Sequence, residues 1–577
     1  MSNSISSVVA ASLKKSITNL LGQAKVFARL FDSDTRAHRS VQAAVESRLA
    51  EMALEGGSAL SGPAGKCLID GMWYNANYWY RLSLFRAAMG TVAGEEIGIL
   101  GPHNAGRSRR TFAHLGIDQT RSFPELLREV RQEAVTLADR ALLTTADAED
   151  VLLWEMPMGF PAVMIYDGIL KRQRAANVDV KDPNFREYAI EAYASCLAAI
   201  RLIKRETPTL LLLSHAVNFS YAALGWAAMK QGCPAVVLFG GYGSPRFFKL
   251  SCPDDFFNWC SGLTNEDIAL LPLQVKKRLG AAGEGYLAGR LAGMTNDIGG
   301  QYAFGKTGDK LDRRVLAARY GWSLDTPIVA VYSSNFFDFP HACGMSHFRD
   351  FRDWLEVTIS AAIENTNVNW LFKPHPCDAW YGGVTLSDLL PAKMPSHIAQ
   401  LPIETPGADL LSSVDALITV HGTAGLEFAA QGKPVLLADR GWYDLAGFSV
   451  AASSRAEYAK LLRTDWWRQL NPAVVKERAK IFSGVHFCAP DWQLTLLMRD
   501  DSQQDNLWKD ILMVVEKKEN IDIEFAMIRK WMASNSHYYH NYKMMQSEEY
   551  CVANVESSGS QIKISSSAGS NHKEILQ

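Results

Sequence analysis

The sequence lacks an uninterrupted apolar run of about 18 residues, the length that a helix needs to cross a bilayer. Its N-terminus has no compact apolar segment followed by a small-residue cleavage site, so we expect no signal peptide. Lys and Arg total 59 against 61 Asp and Glu. This balance lacks the cationic excess that nucleic-acid binding requires. We therefore expect a cytoplasmic protein that binds no nucleic acid.

Paired cysteines are also missing. The nine Cys are an odd number and form no CxxC pair, which excludes a zinc or disulfide framework and fits a reducing compartment. Hydrophobic residues at 48% and charged residues at 21% are ordinary for a soluble protein with a sizeable core. At roughly 150 residues per domain, the length predicts three to four domains, or two large ones with extensions.

Residues 1–60 read as a helical N-terminal extension. Between residues 5 and 31 the apolar side chains recur at helical spacing, and the polar face is basic. One interpretation is a helix on an anionic membrane surface. The other is a helix docked on the next domain, which the modest apolar face favours. Peripheral association with the inner membrane is therefore an open alternative.

Short apolar runs then alternate with longer helical patterns, once over 61–320 and again over 321–495, with a hinge-like Gly321-Trp322-Ser323 between them. This rhythm is typical of βαβ units and predicts an α/β fold with two Rossmann-like domains facing a cleft. Residues 496–545 have helical patterns, and we expect 546–577 to be a disordered tail. The predicted strands are Glu96–Leu100, Ala162–Tyr166, Leu210–Leu213, Ala235–Phe239, Ile328–Tyr332, Val368–Phe372, Ala416–Val420 and Val435–Leu437.

The segment Lys373-Pro-His-Pro376 gives the strongest local signal of a binding site. It follows a predicted strand, and the two prolines restrict the backbone around His375. The carboxyl end of a parallel strand is where open α/β sheets bind ligands. An imidazole beside an ammonium group suits a phosphate. The alternative is a stiff loop whose histidine bonds a backbone carbonyl.

A second strand, Ala416–Val420, runs into the turn His421-Gly-Thr-Ala-Gly425. Gly422 and Gly425 permit close backbone approach to a ligand, and Thr423 places a hydroxyl at a predicted helix N-terminus, which favours anions. We expect Glu427, about one turn later, either to bind a ribose or sugar hydroxyl or to face solvent. Two phosphate-suited loops on one sheet predict a nucleotide-binding domain.

These two segments resemble a motif pair of known proteins. Lys-Pro-His-Pro at 373–376 and His-Gly-Thr-Ala-Gly-Leu-Glu-Phe-Ala-Ala-Gln-Gly-Lys-Pro-Val at 421–435 are similar to the HP and Ser/Thr motifs of bacterial surface-polysaccharide glycosyltransferases. They most resemble the capsule polysaccharide biosynthesis group, which includes Kdo transferases of capsule linkers. Polysialyltransferases and teichoic-acid glycerophosphotransferases have related pairs.

The resemblance implies a GT-B fold in which His375 and Thr423 bind the nucleotide phosphate of the donor. It also implies that the C-terminal helices return to pack on the first domain. Thr423 stands where several relatives have Ser. The residue before Gly422 and Thr423 is His421, and not another residue with a hydroxyl group. The subfamily and the donor sugar therefore stay open.

Weaker candidates surround these motifs. Ser334 and Asn335, after the strand Ile328–Tyr332, are expected to contact the donor sugar or phosphate, or else to satisfy their own turn. Asp338 and His341 lie further along the same loop and have the same two interpretations. His215, after Leu210–Leu213, is a candidate general base toward an acceptor hydroxyl, with a structural role as the alternative.

Three further features of the sequence are less specific. The aromatic cluster Trp73–Tyr80 suits sugar stacking, but core packing is the more common outcome. The glycine-rich turn 240–243 is permissive backbone near a ligand. Asp32-Ser-Asp34 resembles a metal-binding DxD but lies outside any βα unit, so we expect no metal site.

Together these features predict a GT-B-type enzyme without a cofactor, whose substrate is a nucleotide-sugar. The favoured reaction transfers CMP-linked Kdo or a similar sugar to a growing capsule or surface polysaccharide or glycolipid. The alternatives are a CDP-glycerol-type phosphotransferase, an epimerase of a nucleotide-sugar, and a non-catalytic nucleotide- or glycan-binding partner of a polysaccharide assembly complex.

Overall fold

The structure, a computed structural model, describes residues 43–44, 47–48, 51, 65–89, 95–239, 246–257, 263–294, 303–304, 311–376, 378–488 and 521–539. The predicted basic N-terminal helix, the Asp32–Asp34 motif, the turn 240–243 and the tail 546–577 lie outside these residues. None of the described helices is long and apolar enough to span a membrane.

The described chain forms two six-stranded sheets. The first contains β1 to β6 and the second β7 to β12, and the strands are β1 Cys67–Gly71, β2 Glu96–Leu100, β3 Gln119–Ser122, β4 Leu210–Leu213, β5 Ala235–Phe239, β6 Arg246–Leu250, β7 Ile328–Tyr332, β8 Asn369–Lys373, β9 Ile398–Gln400, β10 Ala416–Thr419, β11 Val435–Leu437 and β12 Val450–Ala451. The first is ordered β3-β2-β1-β4-β5-β6 and the second β12-β11-β10-β7-β8-β9. Among these described strands, only β6 runs antiparallel to its neighbour.

Both orders are the Rossmann order, because the second and third strands of each sheet extend to one side of its first strand and the next three strands to the other. The central strands are buried on both faces, which explains their continuous apolar sequences. Each sheet lies between two layers of buried side chains. The prediction of an α/β, GT-B-like fold with two Rossmann-like domains is confirmed.

Helices cover both faces of each sheet. They are α1 Ala76–Met89, α2 Ala105–His114, α3 Phe123–Leu142, α4 Ala148–Val151, α5 Ala162–Gln173, α6 Phe185–Glu206, α7 Phe219–Lys230, α8 Asn265–Leu270, α9 Leu273–Leu291, α10 Arg313–Tyr320, α11 Phe351–Glu364, α12 Asp378–Tyr381, α13 Leu386–Leu389, α14 Thr423–Ala429, α15 Arg455–Leu461, α16 Pro472–Phe487 and α17 Ile521–Ala533.

One predicted strand is wrong. Ala162–Tyr166 is the first part of helix α5, which follows Pro161 as its N-cap. Most of this helix is buried, so its sequence is almost continuously apolar. Such a run does not distinguish a buried strand from a buried helix.

The packing also differs from the predicted division at residue 320. Leu263 and the buried side chains of α8, α9 and α10 belong to the core of the second domain. Helices α9 and α16 approach closely, since a Cβ on Gly283 would lie 2.0 Å from the Lys480 carbonyl oxygen. Gly321, predicted as part of a hinge, ends helix α10 with a φ of 70° and has the left-handed conformation of a helix C-cap.

The chain returns to the first domain at its C-terminal end. Phe525, Ile528 and Trp531 of helix α17 pack in the core beside helix α1. The ammonium group of Lys249 donates to the carbonyl oxygens of Trp531 and Met532 at 3.0 and 3.2 Å. Residues 521–539 are therefore part of the first domain's packing.

Candidate functional site

The second sheet brings the predicted donor-binding residues to one edge. Strands β7 and β10 are neighbours although they are far apart in sequence, and β8 lies on the other side of β7. The loops that follow these three strands hold Ser334 and Asn335, His421 to Thr423, and His375. Because all three strands are parallel, the loops share the carboxyl edge, where the switch in strand order opens a crevice.

Lys373 ends strand β8 at this edge and is only 2% exposed. Burial lowers the pKa of its ammonium group to about 8, against the opposing influence of Glu404 and Asp378. The amide and hydroxyl groups of Ser333 donate to the Lys373 carbonyl oxygen at 3.1 and 3.2 Å. The loop after β7 thus fixes the end of β8.

The next turn holds His375, which is half-buried. Its carbonyl oxygen accepts from the Asp378 amide at 3.1 Å. The side-chain amide of Asn335 donates to one carboxylate oxygen of Asp378 at 3.2 Å. Burial raises the pKa of Asp378 to about 7, so this carboxyl group titrates near neutral pH. Asn335 therefore links the loop after β7 to the loop that holds His375.

The loop after β10 is held from the loop after β11. The carbonyl oxygen of His421 accepts from the Trp442 indole at 2.8 Å, and that of Gly422 accepts from the Tyr443 hydroxyl at 2.6 Å. Burial, with a contribution from nearby His341, lowers the pKa of His421 to about 4 and keeps its imidazole neutral. Thr423 is exposed at the start of α14, a helix of seven residues.

Two predicted site residues of helix α14 pack against other parts of the protein. A Cβ on Gly425 would lie 2.0 Å from the Tyr443 hydroxyl, so this glycine permits close packing of a tyrosine. Glu427 is buried and pairs with Arg290 of helix α9 at 2.5 Å. It therefore does not face solvent, and the pair ties α9 to the second sheet. Substrate contacts of Gly425 and Glu427 stay predictions.

His215 lies at the corresponding point of the first sheet, after β4, which neighbours β1. Its Nδ1 is 2.9 Å from the hydroxyl oxygen of Ser214, and that hydroxyl also donates to Asp70 at the end of β1. The ring lies 4.3 Å from that of Trp73 and 5.4 Å from that of Tyr221. Burial lowers the pKa of His215 to about 4. Sequence reasoning did not find Asp70 or Ser214.

Most of the predicted aromatic cluster lies in the core. Tyr78, Trp79 and Tyr80 of helix α1 are at most 1% exposed, which leaves Trp73 as the aromatic ring of this segment that contacts a candidate site residue. Sugar stacking is therefore not the role of those three residues.

A cavity of about 930 Å³ lies between the two domains. The first domain contributes Glu149, Val163 and Phe257, and the second contributes the segment 344–349 and the loop after β11. Its charged or titratable lining residues are Glu149, Asp254, His341, His347, Arg349, Asp353, Arg440, Asp444 and Arg455. A smaller cavity beside it is lined by Val217, Asn218, Phe339 and His341. Across this smaller cavity, the carboxyl-edge loop after β4 of the first sheet faces the carboxyl-edge loop after β7 of the second sheet.

Of the candidate residues named from the sequence, His341 lines the larger cavity, and Gly441 and Trp442 of its wall contact His421. Sequence reasoning missed Arg440 and His347. A usable signal for Arg440 was present, because it follows β11 at the same carboxyl edge. Across the described ranges no group of three or more His, Cys, Asp or Glu could hold a metal ion. The absence of a metal or cofactor stays a prediction.

The comparisons with known proteins agree with the motif pair. Residues 343–477 match the family model of capsule polysaccharide biosynthesis proteins. This range contains Lys373, His375 and His421 to Thr423, and the match confirms the predicted resemblance. No curated protein matches the sequence significantly.

Solved structures match between about half and four fifths of the chain at low identity. One is KpsC from Thermosulfurimonas dismutans, a beta Kdo 2,4 transferase (14% identity, 48% of this chain and 79% of that one, TM-score 0.31). Another is a UDP-GlcNAc 2-epimerase from Neisseria meningitidis bound to UDP-GlcNAc (11% identity, 78% of this chain and 100% of that one, TM-score 0.23). A third is a glycosyltransferase from Rickettsia africae ESF-5 (10% identity, 78% of this chain and 99% of that one, TM-score 0.25). At these values the similarity does not identify an activity.

Proposed function

We propose that this protein is a glycosyltransferase that moves a sugar from a nucleotide-sugar donor onto a growing capsule or surface polysaccharide or glycolipid. CMP-linked Kdo or a similar sugar is the favoured donor. The match of residues 343–477 to the family model of capsule polysaccharide biosynthesis proteins supports a role in capsule synthesis. The main structural support is the cleft, across which the carboxyl-edge loops of two Rossmann-ordered sheets face each other.

The donor phosphate would bind at the edge of the second sheet. Lys373 supplies a positive charge that is mostly retained at neutral pH, since its pKa is about 8. His375 and the neutral His421 supply hydrogen bonds, and Thr423 supplies an exposed hydroxyl group. These groups would stabilise the negative charge that develops on the phosphate as the glycosidic bond breaks.

The acceptor would bind on the side of the first domain. Its hydroxyl must lose a proton to a base in the cleft, and His215 is the base that the sequence predicts. Closure of the two domains around both substrates would exclude water, which otherwise competes as the acceptor.

Slow donor hydrolysis tests this function without knowledge of the acceptor. Release of nucleotide is measured for CMP-, CDP-, UDP- and GDP-linked donors, with CDP-glycerol in the panel. We expect CMP release from CMP-Kdo by the wild type and a loss of about 100-fold in His375→Ala. The matched control is His397→Ala, a histidine at the amino edge of the same sheet whose ring bonds the Ala362 carbonyl oxygen at 2.9 Å.

The outcomes separate the alternatives. Turnover of CDP-glycerol in place of the sugar donors would indicate a phosphotransferase. Binding of a nucleotide without turnover of any donor would indicate a non-catalytic partner. If the wild type neither binds nor releases any of these nucleotides, the assignment of the second sheet as a nucleotide site is wrong.

A further inference from the structure

The imidazole of His341 and the carboxylate of Asp167 form a pair that joins the two domains. Nδ1 of His341 lies 2.7 Å from one carboxylate oxygen of Asp167, and the backbone amide of His341 donates to the other at 3.0 Å. His341 is in the loop after β7, whereas Asp167 is in helix α5 of the first domain. The pair therefore exists only when the domains are in contact.

The second ring nitrogen of His341 is available to a ligand. His341 lines both cavities of the cleft, and no described residue bonds Nε2. With Nδ1–H donated to a carboxylate, the neutral ring keeps its lone pair on Nε2, the tautomer that a general base needs. The pair thus presents an oriented proton acceptor at the wall of the cleft.

Domain contact alone does not explain this pair. Lys171 pairs with Asp338 at 2.6 Å, the Tyr166 hydroxyl donates to Asp350 at 2.6 Å, and Arg349 pairs with Glu149. These contacts also cross between the domains, and none of them contains an imidazole. A buried ionic pair adds little net stability because both partners lose their hydration. The position of His341 at the cavity wall therefore calls for a role beyond stability.

The backbone beside His341 is strained. Phe339 has a φ of 51°, a conformation that a bulky residue rarely adopts, and Asn218 on the opposite domain has a φ of 67°. Both residues line the small cavity together with His341. Such strain persists only where the surroundings impose it, and strained residues cluster at functional sites.

The charges around His341 favour its protonation. Burial by itself lowers the pKa of His341, but Asp167, Asp350 and Asp439 together outweigh burial and raise that pKa. The imidazole of His421 lies near enough to His341 that the charge of His341 contributes to the lowered pKa of His421. His341 is consequently a stronger base than a buried histidine without carboxylates.

His215 is less suited to remove the acceptor's proton. It does not line the cavity, its Nδ1 is engaged by Ser214, and its ring lies between Trp73 and Tyr221. Burial without a compensating charge makes it a weak base. General bases work best when their pKa is near the working pH.

We propose that His341, oriented by Asp167 of the opposite domain, is the base of the transfer reaction. This inference rests on the proposed glycosyltransferase function. The acceptor oxygen forms a bond to the anomeric carbon, and its proton moves to Nε2 of His341. The bond from that carbon to the phosphate oxygen breaks, and the nucleotide leaves with the electron pair. Because the two partners come from different domains, the base is assembled only when the cleft closes.

The test measures hydrolysis of CMP-Kdo, in which water replaces the acceptor hydroxyl, and the affinity for CMP by calorimetry. His341→Ala should lower kcat by about 100-fold or more and leave the affinity for CMP within about twofold. Added imidazole should restore part of the activity of this variant. Asp167→Asn keeps an acceptor for the His341 amide but removes the charge, so the acidic limb of the pH–rate profile should move to lower pH.

The control is Lys171→Met, which removes another cross-domain pair and should leave the pH at the midpoint of the acidic limb unchanged. If His341→Ala retains wild-type kcat, or if His215→Gln loses activity while His341→Ala does not, the base assignment is overturned and the proposed function stands. A parallel loss of CMP affinity and kcat would make His341 a donor-binding residue and also overturn it. If the wild type releases no nucleotide from any donor, the proposed function fails and the base assignment with it.

Discussion

The two sheets share one strand order but carry opposite charges at their carboxyl edges. Asp70 is the penultimate residue of β1 at the switch point of the first sheet, and Lys373 ends β8 beside the switch point of the second. Both are at most 2% exposed. Burial raises the pKa of Asp70 to about 6 and lowers that of Lys373 to about 8, so one physical cause moves both groups toward neutrality.

This difference separates what the fold supplies from what the sequence supplies. The fold supplies a buried carboxyl edge of the sheet at a predictable position. The residue at that edge then decides whether it suits a proton-accepting network, as in Asp70, Ser214 and His215, or an anion, as in Lys373 and His375. Function therefore follows from the site and cannot be read from the strand order.

The largest expected effect concerns Glu427 of helix α14, another buried charged residue of the second domain. Glu427→Gln leaves the Arg290 guanidinium without this carboxylate, so we expect the free energy of unfolding to fall by about 3–5 kcal/mol. The affinity for CMP in the folded fraction should not change. Urea denaturation and calorimetry measure the two quantities, and replacement of both residues by Met should recover most of the stability.

A different result would make Glu427 a ligand-binding residue and not a structural one. If Glu427→Gln keeps its stability but loses affinity for the nucleotide, the predicted contact with a ribose or sugar hydroxyl is correct and the pair with Arg290 is secondary.

The pH dependence of stability tests the first sheet. The folded pKa of Asp70, about 6, lies above the value of about 3.9 expected for the unfolded chain, so the folded state binds more protons between these values. The contribution of Asp70 to stability is thus present below about pH 4 and decreases as pH rises to about 6, by about 3 kcal/mol in total.

Asp70→Asn should remove this decrease, because the amide does not titrate. Urea denaturation of wild type and variant from pH 4 to 7 gives the difference, in which the other carboxyl groups cancel. A difference that does not vary with pH would mean that Asp70 is better solvated or hydrogen-bonded than its burial indicates.

Both edges were predictable from the sequence because the end of a strand is a local feature. Leu210–Leu213 and Ile328–Tyr332 are short apolar runs, and the residues after them were placed on the correct edge. The polar edge strand Gln119–Ser122 was missed because it lacks such a run. The pairing of Asp167 with His341 joins residues 174 positions apart and depends on domain packing, so no local pattern signals it.

Lys373→Met tests the second edge directly. Loss of the ammonium group should weaken CMP binding by about 10- to 100-fold, since hydrogen bonds to charged groups contribute about 1.5–3 kcal/mol. Wild-type affinity should decrease as pH rises through about 8, where Lys373 loses its charge. The matched control is Lys433→Met, a half-buried lysine before β11 whose ammonium group donates to the Val414 carbonyl oxygen at 2.8 Å. Equal affinities of the two variants would exclude Lys373 from the phosphate site.

The smallest expected effect comes from two buried serines, each of which directly follows a strand. Ser214 donates to Asp70 and contacts His215, whereas the Ser333 hydroxyl donates to a backbone carbonyl. Hydrogen bonds to charged groups contribute more than those between neutral groups. We expect Ser214→Ala to lower the free energy of unfolding by about 2 kcal/mol and Ser333→Ala by about 1 kcal/mol, measured by urea denaturation at pH 7. At pH 4, where Asp70 is protonated, the two values should converge. If the two variants still differ in their loss of unfolding free energy at pH 4, the charge of Asp70 does not distinguish the two edges.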